Sequence, residues 1–234
     1  MRACSNDRSA APRRSGNGSE LKVTQSPRQI GTLAEAVCFV GYVGLYIWKL
    51  QVQVPASWWV FVVWLGASAV LRRDTPKTLG WRADNLWVAT KRAGRFFFPP
   101  ALGICVIGIF LGMLKRAPAH WTEPKHLFGY MAFCLLQQVG LNSFLTNRLL
   151  GAFEKPWAAA MTAGIAFAAL HWPNPVLVPL TLVGGIAMAW LFAKERNILP
   201  LAVGQAILGA LVGSAFPLAW HHSMRVGPGY WNYH

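Results

Sequence analysis

Seven apolar runs separated by short, cation-bearing segments make this chain an all-α integral membrane protein with about seven transmembrane helices. The composition agrees. Apolar residues make up 54% of the 234 and charged residues 13%, against about 45–50% and about 25% in soluble domains. Mean hydropathy is +0.35, and Trp and Phe together number 25. So few charges cannot cover a water-soluble surface, which excludes an ordinary cytosolic enzyme, a disordered chain and a disulfide scaffold.

A spanning helix needs about 20 mostly apolar residues. The runs are Leu33–Leu50, Ala56–Leu71, Phe97–Leu114, Leu127–Leu149, Trp157–Trp172, Val176–Ala193 and Leu199–Trp220. The second and fifth are short. Trp172-Pro173-Asn174-Pro175 joins the fifth and sixth as a tight helical hairpin, because proline stops one helix and starts the next. These runs make residues 33–220 the membrane domain, between a disordered basic tail, 1–32, and an aromatic interfacial tail, 221–234.

The charges orient the bundle. With the N-terminus in the cytoplasm, seven spans leave 17 of the 22 Lys and Arg residues on that side, as the positive-inside bias requires. The expected location is a cytoplasmic or bacterial inner membrane, with the C-terminus on the opposite side. A net charge of +14 can also signal nucleic acid, but no recognition motif accompanies it; the expected surroundings are lipid. The first thirty residues act as a solvated topological anchor or bind anionic headgroups. Gly80–Phe96 is amphipathic, with Leu86, Trp87 and Phe96 on one side and Lys91, Arg92 and Arg95 on another. It is expected to lie in the cytoplasmic interface. Cys38, Cys105 and Cys134 fall inside apolar runs and Cys4 in the tail, without metal-ligand spacing. Those three are read as small buried hydrophobes, and no cofactor or metal is expected.

Polar side chains in hydrocarbon are costly and face a bundle interior or a cavity. The fourth run carries Gln137, Gln138, Asn142, Ser143, Thr146, Asn147 and Arg148. Gln138, Asn142 and Thr146 share a face at i, i+4, i+8. That face either lines a polar cavity or acts as hydrogen-bonding glue between helices. Arg148 is read as an end charge that snorkels to the interface. His171 is the one ionisable group of the helical hairpin, placed either to cap free carbonyls or to serve a site. Gln205 stands alone as the amide of the last run, as packing glue or as a cavity wall. Near the C-terminus, Arg225 with a Gly-Pro-Gly turn and Tyr/Trp residues forms an aromatic anchor or a headgroup-docking patch.

The text QQVGLN followed by FLTNRLLGAF, then FAALHWPNP, then RNILPLAVGQAILGALVG resembles the core of the CAAX-protease and bacteriocin-processing (CPBP, or Abi) family of intramembrane glutamic proteases. The resemblance covers about Trp81–Val212, most clearly Leu135–Gly209, and implies a CPBP-like helical core at about residues 127–213. The family's three motifs, EExxxR, FxxxH and HxxxN, fall on Gln137-Gln138-xxx-Asn142, Phe167-xxx-His171 and Gln205-xxx-Gly209. By that resemblance Gln137 holds the general-base position, His171 the water-orienting position, and Gln205 and Gly209 the oxyanion positions. Phe167, Gly209 and Arg225 are candidate substrate contacts. The implied substrate is a prenylated, lipidated or membrane-spanning peptide.

Only His171 retains the family's catalytic residue. A primary amide takes no proton near pH 7, so Gln137 cannot be a general base, and losing such assistance costs about 10²–10⁴ in rate. Gly209 offers no donor, and one missing oxyanion donor costs about 2.7–4 kcal/mol. Asn142 in place of Arg is consistent with the loss of both carboxylates, since a buried Arg would then lack its partners. Of the eight acidic residues only Glu35 lies inside a run. The expected function is therefore a CPBP-like peptidase with doubtful hydrolysis, or a non-proteolytic pseudoprotease scaffold for a lipidated or membrane partner. A small transporter component ranks last, without the repeats such proteins show.

Overall fold

A computed structural model describes residues 27–114 and 124–232. Among the described residues every regular element is helical. Helix α1 spans Pro27–Leu45 and continues through a wider π-helical stretch, Tyr46–Leu50, to Gln53. A 3₁₀ turn, Pro55–Trp58, leads into α2, Trp59–Leu71. The short α3, Pro76–Leu79, precedes α4, Leu86–Phe110. Helix α5, Pro124–Gln138, opens into a π-helical segment, Val139–Thr146, and closes again as α6, Asn147–Ala152. Then come α7, Pro156–Ala169, α8, Leu177–Glu195, and α9, Leu199–Ala215. The short α10, Leu218–His221, and α11, Pro228–Trp231, complete the chain.

Among the described residues three helices are long and apolar enough to cross a membrane: Gln29–Gln53, Leu86–Phe110 and Leu177–Glu195. At 1.5 Å per residue the 25 residues of α4 reach about 38 Å, past the ~30 Å of hydrocarbon. Helices Pro55–Leu71, Pro156–Ala169 and Leu199–Ala215 are apolar but shorter. The outer surface is greasy: Phe110 is 86% and Leu71 83% exposed, and Phe128 and Val70 are nearly as bare. Large apolar side chains presented this way belong against lipid.

Close approach between helices is made by glycine. A methyl group on Gly164 of α7 would stand 2.6 Å from the backbone nitrogen of Ile186 in α8, and one on Gly185 would stand 3.1 Å from Gly164 Cα. Likewise Phe97 of α4 lies over Gly204 of α9, where a Cβ would meet its ring at 2.1 Å. Small residues at such crossings let backbones pack where burial from water supplies no driving force. The third apolar run, expected to begin at Phe97, belongs to a helix that begins at Leu86 and takes in most of the amphipathic segment. Ala89, Ala93 and Phe97 form the buried stripe of that part, while Leu86, Trp87 and Phe96 are exposed.

Arg148 corrects a second expectation. It does not snorkel: it is 5% exposed, and its Nη2 donates to Asp74 Oδ2 at 2.7 Å and to Ser68 Oγ at 2.7 Å. Glu35 of α1 lies 3.7 Å from its Nε and pairs with Arg72 at 2.6 Å. Burying a guanidinium requires matching carboxylates, and those come from the loop after α2, 74 residues back, and from α1, 113 residues back. Arg196 donates to Asn147 Oδ1, and the buried Asn197 donates to Arg82 O at 2.8 Å. The segments around residues 72–82, 147–148 and 195–198 thus meet at one end of the bundle.

The opposite end is tied by Asn174. Its Oδ1 accepts from Val176 N and Leu177 N, capping α8, while its Nδ2 donates to His221 O and Arg225 O. Gly227 N donates to Trp172 O. The C-terminal stretch therefore folds back against the α7–α8 turn. Helix α1 begins at Pro27, so residues 27–32 of the expected tail are helical, and Thr32 is buried beneath Arg72; residues 1–26 lie outside the described part. Of the cysteines only Cys134 is buried, with Cys38 on an exposed face of α1. Cys4 lies outside the described residues.

Replacing Gly164 with Ala is expected to force α7 and α8 apart at a cost of about 1–3 kcal/mol. Gly103→Ala, where no atom stands within 4 Å, is expected to be neutral or stabilising; thermal unfolding in detergent distinguishes the two. Arg148→Met is expected to cost about 3–5 kcal/mol by stranding buried carboxylate. Adding Asp74→Asn should recover part of that loss in the same measurement.

Candidate functional site

The fourth apolar run turns its amides inward because its helix widens. In the π-helical segment Thr146 Oγ1 donates to Leu141 O, five residues back, at 2.8 Å. Gln138, Asn142 and Thr146 are all fully buried on the shared face that their spacing implies. Such widened turns recur where a helix must present polar groups to a site.

The amides satisfy one another in a single chain. Asn142 Nδ2 donates to Gln138 Oε1 at 2.5 Å, and Gln138 Nε2 donates to Gln205 Oε1 at 2.6 Å. Gln205 Nε2 in turn donates to Gln137 Oε1. The second proton of Gln138 Nε2 meets Met188 Sδ at 3.0 Å. These contacts fix the sense of the chain. Reversing every amide would set Gln138 oxygen against the thioether sulfur and leave the buried Asn142 NH2, with two donors, unpaired. As it stands, one acceptor, Asn142 Oδ1, lacks a partner at the buried end. At the other end Gln137 presents its NH2 group.

Gln137 and Gln205 face a cavity of about 260 Å³ bounded by α4, α5, α7, α8 and α9 and the residues after α10. Its lining includes Phe167, His171 and Gly209 with Tyr130, Phe133, Met188, Met224 and Val226, and no Asp, Glu, Lys or Arg. The cavity collects Gln137, Gln205, His171, Phe167 and Gly209. Gln138 and Asn142 stand behind its wall. Arg225 is not part of the lining; its backbone carbonyl serves Asn174 instead. A larger, open hollow of about 550 Å³ lies along α1 and α2, but its walls are almost wholly apolar and its Glu35 and Ser68 are already paired.

His171 lies just beyond α7, one turn after Phe167. Its Nδ1 stands 2.6 Å from Phe167 O. A carbonyl only accepts, so the proton is on Nδ1 and the neutral ring carries its lone pair on Nε2. The carbonyl contact left open by the sequence is thus made by Nδ1, and the residue also lines the cavity. His221 is buried with neither ring nitrogen hydrogen-bonded. Burial pushes its pKa below the ordinary value. No group of three or more metal-ligating side chains occurs among the described residues.

Tyr130 is the cavity residue that sequence reasoning missed. A Cβ on Gly209 would stand 1.9 Å from its Oη, so the phenol occupies the room that a side chain at 209 would need. The available signal was the i, i+3, i+7 set Tyr130, Phe133 and Gln137, which places all three on one face of α5.

Gly209→Ala is therefore expected to displace Tyr130 and destabilise the protein by about 1–3 kcal/mol. Combining it with Tyr130→Phe removes the colliding oxygen. A double-mutant cycle by thermal unfolding should show a favourable coupling of about 0.5–3 kcal/mol.

No curated protein and no solved structure matches the chain. A family model, the type II CAAX prenyl endopeptidase Rce1-like family, matches residues 26–211. The match extends beyond the motif-bearing text, through α1 and α2 to most of α9. This integral membrane chain, with its apolar helices and inward-facing motif positions, belongs to the Rce1-like CAAX prenyl endopeptidase family.

Proposed function

We propose that this chain is a non-hydrolytic member of its family, a membrane scaffold whose cavity holds a prenylated, lipidated or membrane-spanning segment of a partner. The observation that carries this reading is the closed amide chain. The base position, Gln137, spends its carbonyl on Gln205, and no carboxylate lines the cavity. A general base must accept a proton near neutral pH, which an amide cannot do. Gln205 has one amide oxygen and one nitrogen already engaged, and Gly209 brings no donor. What remains is an apolar cavity with a few directed polar groups, the usual make-up of a binding site.

One observation favours a second reading. His171 Nε2 keeps a lone pair at the cavity, and imidazole is the side chain that takes a proton nearest neutral pH. A histidine-centred hydrolysis would use that atom as base.

The proposed setting is a cytoplasmic or bacterial inner membrane crossed about seven times, with the N-terminus inside. Two observations support it: 17 of the 22 cations fall on the segments assigned inward, and three of those segments meet at one end of the bundle.

The test is hydrolysis by the purified protein in nanodiscs, offered a fluorogenic prenylated peptide and a panel of membrane-spanning peptides. Wild type and His171→Ala are expected to match the protein-free control, with Gln137→Glu the variant in which product first appears. Peptide binding should weaken about fivefold in His171→Ala, the worth of one net hydrogen bond. Cleavage by wild type that His171→Ala abolishes would establish the second reading instead.

A further inference from the structure

The polar groups at the cavity wall are few and each has a defined sense. Gln137 offers N–H, because its oxygen is taken by Gln205 and the direction of the amide chain is fixed by Met188 and the buried Asn142. His171 offers the lone pair of Nε2, because Nδ1–H is spent on Phe167 O. Thr181 also lines the cavity, but its hydroxyl donates to Leu177 O at 2.7 Å within its own helix. Tyr130 lines it too, with its hydroxyl engaged by Cys134, and Gln205 spends its amide on Gln138 and Gln137; the rest of the wall is mainly aromatic and aliphatic and carries no formal charge.

An anionic head group would find no cation here and would face the lone pair of His171. A cationic one would find no carboxylate. Burying either without a counter-charge is far more costly than burying a neutral group. A group able both to accept and to donate matches the N–H of Gln137 and the lone pair of His171 without bringing in a charge. At about 260 Å³ the cavity lies just under the ~300–1,000 Å³ of small-molecule pockets, so it admits a head group and a short length of chain.

We infer that the cavity selects an uncharged amphiphile whose head group both accepts and donates a hydrogen bond, a hydroxyl or a secondary amide, at the end of an apolar chain. The inference rests on the binding reading above and specifies the ligand of that same site. The hydroxyl would come from a lipid alcohol of the bilayer, and the amide from the backbone of a lipidated or membrane-spanning peptide.

The experiment uses the full-length protein in nanodiscs and a dodecanol carrying a mid-chain diazirine, with photolabelled sites mapped by mass spectrometry. Labelling is expected on peptides containing Phe133, Phe167 or Leu208. Dodecanol and N-methyldodecanamide should compete, and the stronger of the two identifies the source. Dodecanesulfonate and dodecyltrimethylammonium should compete at least tenfold more weakly. Gln137→Leu, which keeps the bulk and loses the donor, should lower labelling about fivefold. His171→Gln, whose amide oxygen can still accept, should lower it less than His171→Phe does. Unfolding midpoints of all variants identify any that fail to fold, and the competition series on wild type stands without them. Equal competition by the charged and uncharged chains, or labelling confined to the outer helix faces, would overturn the inference. Peptide hydrolysis, measured separately, bears on the binding reading alone. Lost head-group discrimination without hydrolysis overturns only the ligand class.

Discussion

Hydrocarbon supplies no water to a stranded polar group, and four amide side chains placed deep in this bundle are therefore compelled to find one another. The chain from Asn142 through Gln138 and Gln205 to Gln137 joins α5 with its π-helical continuation to α9. Gln138 and Gln205 each use the oxygen for one neighbour and the nitrogen for the next, and successive bonds of this kind polarise one another. The chain ties α9 to α5 and supplies two of the polar groups of the cavity wall. Its neutrality has a chemical consequence. The amides of the wall can orient a ligand but cannot take its proton.

Charge is managed elsewhere. Glu35, Asp74, Arg72 and Arg148 pair at one end of the bundle, across α1, the loop after α2 and α6. This cluster satisfies Arg148 without drawing a carboxylate into the cavity. At the other end Asn174 does a comparable task with a neutral amide, capping α8 and holding the C-terminal stretch. The cavity lies among helices held at both ends, and its lining includes Met224 and Val226 from that stretch.

The site was more legible in the sequence than the packing around it. Amides in an apolar run stand out, because hydrocarbon makes each of them costly, and the spacing of Gln138, Asn142 and Thr146 specifies one face whatever that face packs on. His171 stood out for the same reason. Arg148 was misjudged because its partners, Glu35 and Asp74, are remote in sequence, and an end-of-run arginine with no visible partner reads as a snorkelling one. The start of α4 was placed too late because the turns before Phe97 carry Lys91, Arg92 and Arg95, which an apolar run excludes although the helix continues through them. Tyr130 was invisible as a site residue until Gly209 was seen to lie beneath it; neither position implies the other without the fold.

The most direct measurement is a single-turnover experiment with protein in molar excess over a prenylated peptide in nanodiscs, followed by mass spectrometry of the peptide across pH 5–9. A cavity walled by amides predicts that the peptide is recovered intact from the protein at every pH. Stoichiometric cleavage at any pH would contradict the account, because it would require a general base that the amides cannot supply and would assign that role to His171.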